Sequence, residues 1–395
     1  MNTASPASPA RLDPQPVLAG LLAALVGYAS TFTLVLAGLA AVGATPAQAA
    51  SGLLVLCLVQ ALLNIAGALL TRTPLSFAWS TPGAAFLISL GPLDGGFSAA
   101  TGGFIMAAAL VVLAGLWTPF ARAVSAIPAS LANAMLAGIL MTLCLAPLKA
   151  IEAEPQLALP IVFAWVLGVV FFRRYAVPMA VLVTVIVLSL TMQLPPGALD
   201  GSLPAPQFVL PVFTLDAFLR IALPLFVITM ASQNLPGIAV MKANGYPIRP
   251  APIFVWSGAL SAVAALFGGH ATNLAAITAA INAGPEAHPD PARRWPASVT
   301  TGIAYILLGL IAGLAAAFII ASPPILIQAV AGLALLTSLA GALANALASE
   351  EERLPAILTF VTAASGITII GIGAAFWGLL AGIVLLVLLR WRAKT

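Results

Sequence analysis

Fourteen apolar runs follow one another along this chain, and that succession leaves it one medium in which to fold. They lie at about 17–41, 49–70, 75–91, 102–120, 125–146, 157–172, 177–193, 217–240, 251–267, 269–284, 296–320, 324–347, 354–371 and 373–391. Charged residues or breaks rich in proline and glycine separate them. Only 7% of the 395 residues are charged and 62% are hydrophobic. A soluble domain carries roughly 25% charged residues, so this chain cannot cover its own surface in water. The expectation is an all-α polytopic membrane protein of about 14 transmembrane segments, with the lipid bilayer as its first partner.

The basic residues test the count. With an even number of spans, Arg11, Arg72, Arg122, Arg173, Arg174, Lys242, Arg249, Arg293, Arg294, Arg353, Arg390, Arg392 and Lys394 share one side. Lys149 and Arg220 fall on the other, a split that losing one span would scramble. The positive-inside rule puts the larger set, and both termini, in the cytoplasm of a bacterial-type inner (plasma) membrane. The basic residues are scattered, which argues against nucleic acid as a partner. Cys57 and Cys144 sit inside apolar runs without metal-ligand spacing and read as small core residues.

The organisation is then a cytoplasmic tail (1–16), seven spans (17–193), a periplasmic connector rich in proline (194–216) and seven more spans (217–391). An odd-numbered unit, once duplicated, lies in the membrane in opposite orientations, as in inverted-repeat transporters. Weak internal similarity agrees. The first run holds Ala29-Ser30 and ends Gly43-Ala-Thr-Pro46; the eighth holds Ala231-Ser232 and ends Asn244-Gly-Tyr-Pro247, one residue out of step.

The third and tenth runs differ from the rest. Leu75–Gly91 and Gly268–Gly284 have 17 residues each, short against the roughly 20 that a spanning helix needs. Each has a helix start in its middle. Thr81 is a good cap ahead of Pro82 and Gly83, and Thr272 or Asn273 can cap a helix after Gly268-Gly269. Aligning Thr81 with Thr272 gives T-x-x-A-A in both. The residues before each start, Ser76–Ser80 and Phe267–Ala271, read as extended backbone, tolerated at membrane depth only beside a cavity or inside protein. Two opposed helix N-termini, each with unpaired amides and roughly half a positive charge, would offer a dry anion site without any arginine. The plainer alternative is a pair of kinked helices packed through small residues.

His270 is the only histidine expected at membrane depth, a candidate for proton coupling or a neutral ring that orders carbonyls. Ser232, Gln233 and Asn234 stand together in the eighth run before Pro236, as substrate contacts or as interhelical hydrogen bonds. Ser80, Tyr28, Thr31, Phe77 and Trp79 are candidates for the wall of the site. The loop at 285–295 carries Glu286, His288 and Asp290, but its prolines make a rigid turn rather than a metal site. It reads as solvated, with Arg293 and Arg294 at the interface. The run Glu350–Glu352 needs no role beyond a loop. No metal or cofactor is expected. No nucleophile with its base, phosphate loop or redox motif supports an enzyme.

Met230–Pro247 (MASQNLPGIAVMKANGYP), Gly268–Trp295 (GGHATNLAAITAAINAGPEAHPDPARRW) and Ser80–Leu87 (STPGAAFL) resemble the benzoate/proton symporter family, relatives of the uracil and xanthine permeases. The resemblance implies two inverted repeats of seven spans. Spans 1–4 and 8–11 would form a core, and spans 5–7 and 12–14 a gate. It further implies a substrate held between spans 3 and 10 beside span 8, an elevator-like motion and often a homodimer. Nucleobase relatives carry a glutamate in the eighth span, where this chain has Gln233 or Asn234. That difference favours an anionic substrate. The expected function is import of benzoate or a similar aromatic carboxylate together with a proton. Alternatives are another small anion or a nucleobase on the same fold, or an anion channel or a scaffold.

Overall fold

A computed structural model describes residues 14–117, 119, 128–191, 204–285, 287–315, 323–369 and 372–392. The first 13 residues of the tail, Arg122, Glu286, Lys394 and the connector up to residue 203 lie outside them. Each apolar run becomes one helix or one broken helix. The first half comprises α1 (Pro14–Ala41), α2 (Pro46–Thr71), β1 (Phe77–Trp79) with α3 (Thr81–Leu90), and α4 (Gly96–Leu116). It continues with α5 (Ala129–Ala153), α6 (Pro155–Phe171) and α7 (Ala176–Thr191). The second half comprises α8 (Leu215–Lys242), α9 (Pro250–Ala265), β2 (Thr272–Leu274) with α10 (Ile277–Ala283), and α11 (Trp295–Leu310). α12 (Pro324–Ala346), α13 (Arg353–Ala364) and α14 (Ala374–Arg392) complete it.

The packing shows the inverted repeat directly. If each helix is exchanged for the one seven places away, the most extensive contacts find counterparts. α4 packs on α9 as α11 packs on α2, and α1 on α11 as α8 on α4. Likewise α6 lies on α7 as α13 lies on α14, and α1 on α3 as α8 on α10. The pairs α5–α12 and β1–β2 map onto themselves, so the pseudo-twofold axis passes between them. The fold is a fourteen-span inverted repeat.

Two local features position the site. α8 contains two π turns, Phe218–Ala222 and Met230–Asn234. Each ends two residues before a proline, Pro224 or Pro236. Proline removes a backbone N–H and crowds the preceding turn, and a wider turn absorbs both effects. The described part of the connector is extended over the ends of α2, α4 and α9. Gln207 N–H donates to Ser51 Oγ (2.7 Å), Val212 N–H to Ser98 O (2.9 Å) and Val209 N–H to Leu266 O (2.8 Å).

Candidate substrate site

The two interrupted runs meet in a two-stranded antiparallel sheet. Phe77 lies opposite Leu274, Ala78 opposite Asn273, and Trp79 opposite Thr272. Ser80 N–H to Ala271 O (2.9 Å) and Ala275 N–H to Ser76 O (2.8 Å) extend it at both ends. Its outer edges face helices, and polar side chains from those helices complete them. Asn64 of α2 accepts from Phe77 N–H and donates to Phe77 O, both at 2.9 Å. Gln60 Oε1 accepts from Trp79 N–H at 3.1 Å. On the other edge, Ser261 of α9 accepts from Thr272 N–H (2.8 Å) and donates to Thr272 O (3.2 Å). Asn234 Oδ1 accepts from Leu274 N–H at 2.9 Å. Each of these side chains is buried, so the extended backbone needs no water.

The helix starts differ from the sequence expectation. α3 begins at Thr81, but its cap is Ser80, whose Oγ accepts from Gly83 N–H at 3.2 Å. α10 begins at Ile277, after Ala276 and with no side-chain cap, so Thr272 and Asn273 are strand residues and not caps. The strands correspond as Phe77 to Thr272, an offset of 195 (272 − 77), against 191 (272 − 81) for the Thr81–Thr272 match. The T-x-x-A-A alignment is therefore four residues out of register. Thr and Asn suit extended backbone as well as caps, and the strand pairing decides between them.

A cavity of about 100 Å³ opens at the two helix starts, lined by Thr31, Trp79, Thr81, Gln233, Thr278 and Tyr305 among others. A second cavity of about 510 Å³ shares Val26, Gln233, Ile277, Ala334 and Ser338 with it and also reaches Pro82 and Ser232. Trp79 Nε1–H donates to Thr31 Oγ1 (2.8 Å), and Thr31 donates to Gly27 O (2.7 Å), which fixes the indole against the wall. Among the described residues no charged side chain lines the smaller cavity. Pro82 has no N–H and Gly83 N–H is taken by Ser80 Oγ, so the amides left for a guest are those of Thr81 and of the first turn of α10, beside the side chains of Thr31, Gln233, Thr278, Tyr305 and Ser338.

Of the residues singled out from sequence, Thr31, Trp79, Thr81, Pro82, Ser232 and Gln233 line these cavities. The others stand behind them. Tyr28 stacks on Phe32 at 5.3 Å and meets Trp79 edge-on at 5.8 Å. Phe77 is fully buried. Asn234 serves the strand edge, while its neighbour Gln233, about a quarter-turn away around α8, lines the cavities. Asn273 Nδ2 donates to Leu274 O at 3.0 Å. His270 is fully buried with Nε2 3.0 Å from Ser80 O, its ring edge-on to Phe104 and Nδ1 without a hydrogen-bond partner. A carbonyl can only accept, so Nε2 carries the proton and the ring fits here as a neutral donor. Val26, Thr278, Tyr305, Ala334 and Ser338 went unforeseen. Only Tyr305, a hydroxyl inside an apolar run and one of four tyrosines, carried a usable signal.

Arg294 also departs from expectation. It is 6% exposed, not solvated. It donates from Nε to His288 O (2.6 Å), from Nη1 to Ala283 O (2.7 Å) and from Nη2 to Pro289 O (3.1 Å). Ala283 is the last residue of α10, so a cation closes the carboxyl end of that half-helix, where the dipole favours it.

An inverted repeat in the membrane, with a cavity where two half-helices meet, is the architecture of a secondary transporter. The same fold appears in the transmembrane domain of the cyanobacterial bicarbonate transporter BicA. The TM-score is 0.58 at 16% identity, over 94% of this chain and 99% of that one. Murine Slc26a9, an anion transporter solved in the inward-facing state, gives a TM-score of 0.59 at 14% identity over 99% and 74%. The profile of the benzoate membrane transport protein family (BenE) matches residues 10–388, and the chain belongs to that family. The inner membrane protein YdcO of Escherichia coli (strain K12) is 40% identical over 380 residues, 96% of this chain and 97% of that protein. The benzoate membrane transport protein of Acinetobacter baylyi (strain ATCC 33305 / BD413 / ADP1) is 30% identical over 365 residues, 92% of each chain. This chain is thus a multi-pass membrane transporter and not an enzyme.

Proposed function

We propose that the chain imports benzoate or a similar aromatic carboxylate by proton symport, with spans 1–4 and 8–11 sliding as a core against spans 5–7 and 12–14. The observation that carries this reading is the cavity at the starts of α3 and α10. It offers helix-tip amides to a carboxylate and Trp79, Tyr305 and Ile277 to a ring. Burying a carboxylate costs several kcal/mol; charge-assisted hydrogen bonds of roughly 1.5–3 kcal/mol each, together with the helix dipoles, offset that. Ala334 and Ser338 of α12 complete the wall from the gate side, so motion of the core would uncover the site. The family name and the benzoate relative support the substrate. The basic-residue split supports cytoplasmic termini, which puts the α6–α7 turn and its Arg173, on the wall of the larger cavity, at the cytoplasmic side.

Among the described residues no carboxylate lines either cavity, which leaves His270 as the candidate proton carrier. Protonation there requires a conformation in which Nδ1 gains a partner. Uptake of labelled benzoate into proteoliposomes, with and without an inward proton gradient, tests the proposal. Concentrative uptake that collapses with the gradient supports it, and passive equilibration would point to a channel.

A further inference from the structure

We propose that Arg173 forms a second, transient anion site at the mouth of the larger cavity, where it draws carboxylates in and releases them. This inference deepens the function proposed above and rests on the inward orientation given there. The cavity has a volume of about 510 Å³, and among the described residues Arg173 is the only charged one on its wall. Arg173 is exposed and lies in the 3-10 turn joining α6 to α7, and it lines the same cavity as Pro82, Ala276 and Ile277 at the helix starts. Among the described residues no carboxylate stands within ion-pair distance of it. Asn133, Ser232, Gln233, Thr337, Ser338 and Asn345 supply neutral polar groups along the way.

A neighbouring cavity makes the contrast. It is about 720 Å³ in volume and shares Asn133, Pro236 and Asn345 with the first. Its own arginine, Arg390, is bound to Glu352 Oε1 at 2.6 Å, and Ser130 donates to Glu352 Oε2 at 2.6 Å. One lobe therefore presents an uncompensated cation and the other a neutral pair. A cleft lined by one sign of charge between low-dielectric walls concentrates the opposite ion. An arginine also meets a carboxylate with two parallel hydrogen bonds.

A probe independent of the natural substrate tests this. A Cβ at Gly341, on the cavity wall, meets nothing within 4 Å, so Gly341→Cys leaves the packing undisturbed. Cys57 and Cys144 are buried, and the unsubstituted protein serves as the blank. The reaction rates of this cysteine with sulfonatoethyl and trimethylammonium-ethyl methanethiosulfonate give an anion-to-cation ratio. Arg173→Gln should lower that ratio roughly threefold or more. Arg173→Lys and the charge-neutral double variant Arg390→Gln/Glu352→Gln should leave it near the starting value, and molar salt should erase the difference. A ratio indifferent to Arg173→Gln, or lowered equally by Arg390→Gln/Glu352→Gln, overturns the assignment. Benzoate efflux from loaded proteoliposomes is read separately. Its absence in the unsubstituted protein would count against the proposed substrate while the labelling result stands.

Discussion

Asn64 encloses Phe77, accepting from its N–H and donating to its C=O at 2.9 Å each, and in the other half Ser261 does the same for Thr272. The site rests on these brackets, because extended backbone at membrane depth must have its free edges satisfied by protein. Asn64→Leu should leave both groups of Phe77 unpaired, at about 1–3 kcal/mol each. The thermal midpoint in detergent should fall clearly, and transport should fall with it. Asn64→Asp keeps the acceptor and loses the donor, so an intermediate loss is expected. A midpoint unchanged in Asn64→Leu would mean that the strand edge finds other partners.

Arg294 carries a second prediction. Three carbonyls, of Ala283, His288 and Pro289, depend on one planar fork of donors. Lysine supplies a point charge without that geometry. Arg294→Ala leaves three carbonyls short of a donor, at about 1–3 kcal/mol for each that stays unsatisfied, and should lower both the thermal midpoint and uptake, because α10 loses the clamp on its carboxyl end. Arg294→Lys should recover only part of both. Thermal unfolding and initial uptake rates, measured together, decide it; near-normal transport in Arg294→Ala would remove the positioning role.

Most of the architecture was legible because bilayer thickness converts sequence length directly into spans. The broken segments were visible for the same reason, as runs too short to cross with a helix start inside them. What stayed hidden depends on non-local pairing. Thr272 and Asn273 look like a cap until β1 lies beside them, and Ala276, at the actual start, carries no cap signal. Ser232, Gln233 and Asn234 look like one polar cluster until the packing of α8 sets Asn234 against the strand and the other two on the cavity wall. Arg294 looked solvated because a loop with three prolines reads as open, whereas the loop folds back so that its carbonyls surround the guanidinium. The wall that α12 supplies at Ala334 and Ser338 carried no mark, because small residues are common throughout that run.

His270 supports a third prediction. In the conformation described, its Nε2–H serves Ser80 O, the carbonyl of the residue that caps α3. Glutamine can still donate to that carbonyl but cannot titrate. His270→Gln should therefore retain benzoate binding and lose the acceleration of uptake by an inward proton gradient, whereas His270→Ala should also weaken binding by loosening Ser80. The readout is the initial rate of uptake at one external pH with and without an inward proton gradient. A Gln variant with the full response to the gradient would show that the proton travels by another route.

Gln233 gives the sharpest test of where the negative charge rests, because it borders both cavities. Gln233→Glu changes little in shape and adds a charge of the substrate's own sign. A carboxylate within about 6 Å of another, at an effective dielectric near 20, is disfavoured by roughly 3 kcal/mol, more than a hundredfold in affinity. The penalty applies only while the introduced carboxyl is ionised, so it should be full at neutral pH and ease as the pH falls through the carboxyl range. Gln233→Met removes hydrogen bonds without adding charge and should cost about tenfold or less. Benzoate binding to the purified variants at pH 8 and pH 5 separates the two effects. Were Gln233→Glu to bind benzoate normally at pH 8, the carboxylate would have to sit elsewhere, and the helix starts of α3 and α10 would lose their assigned role.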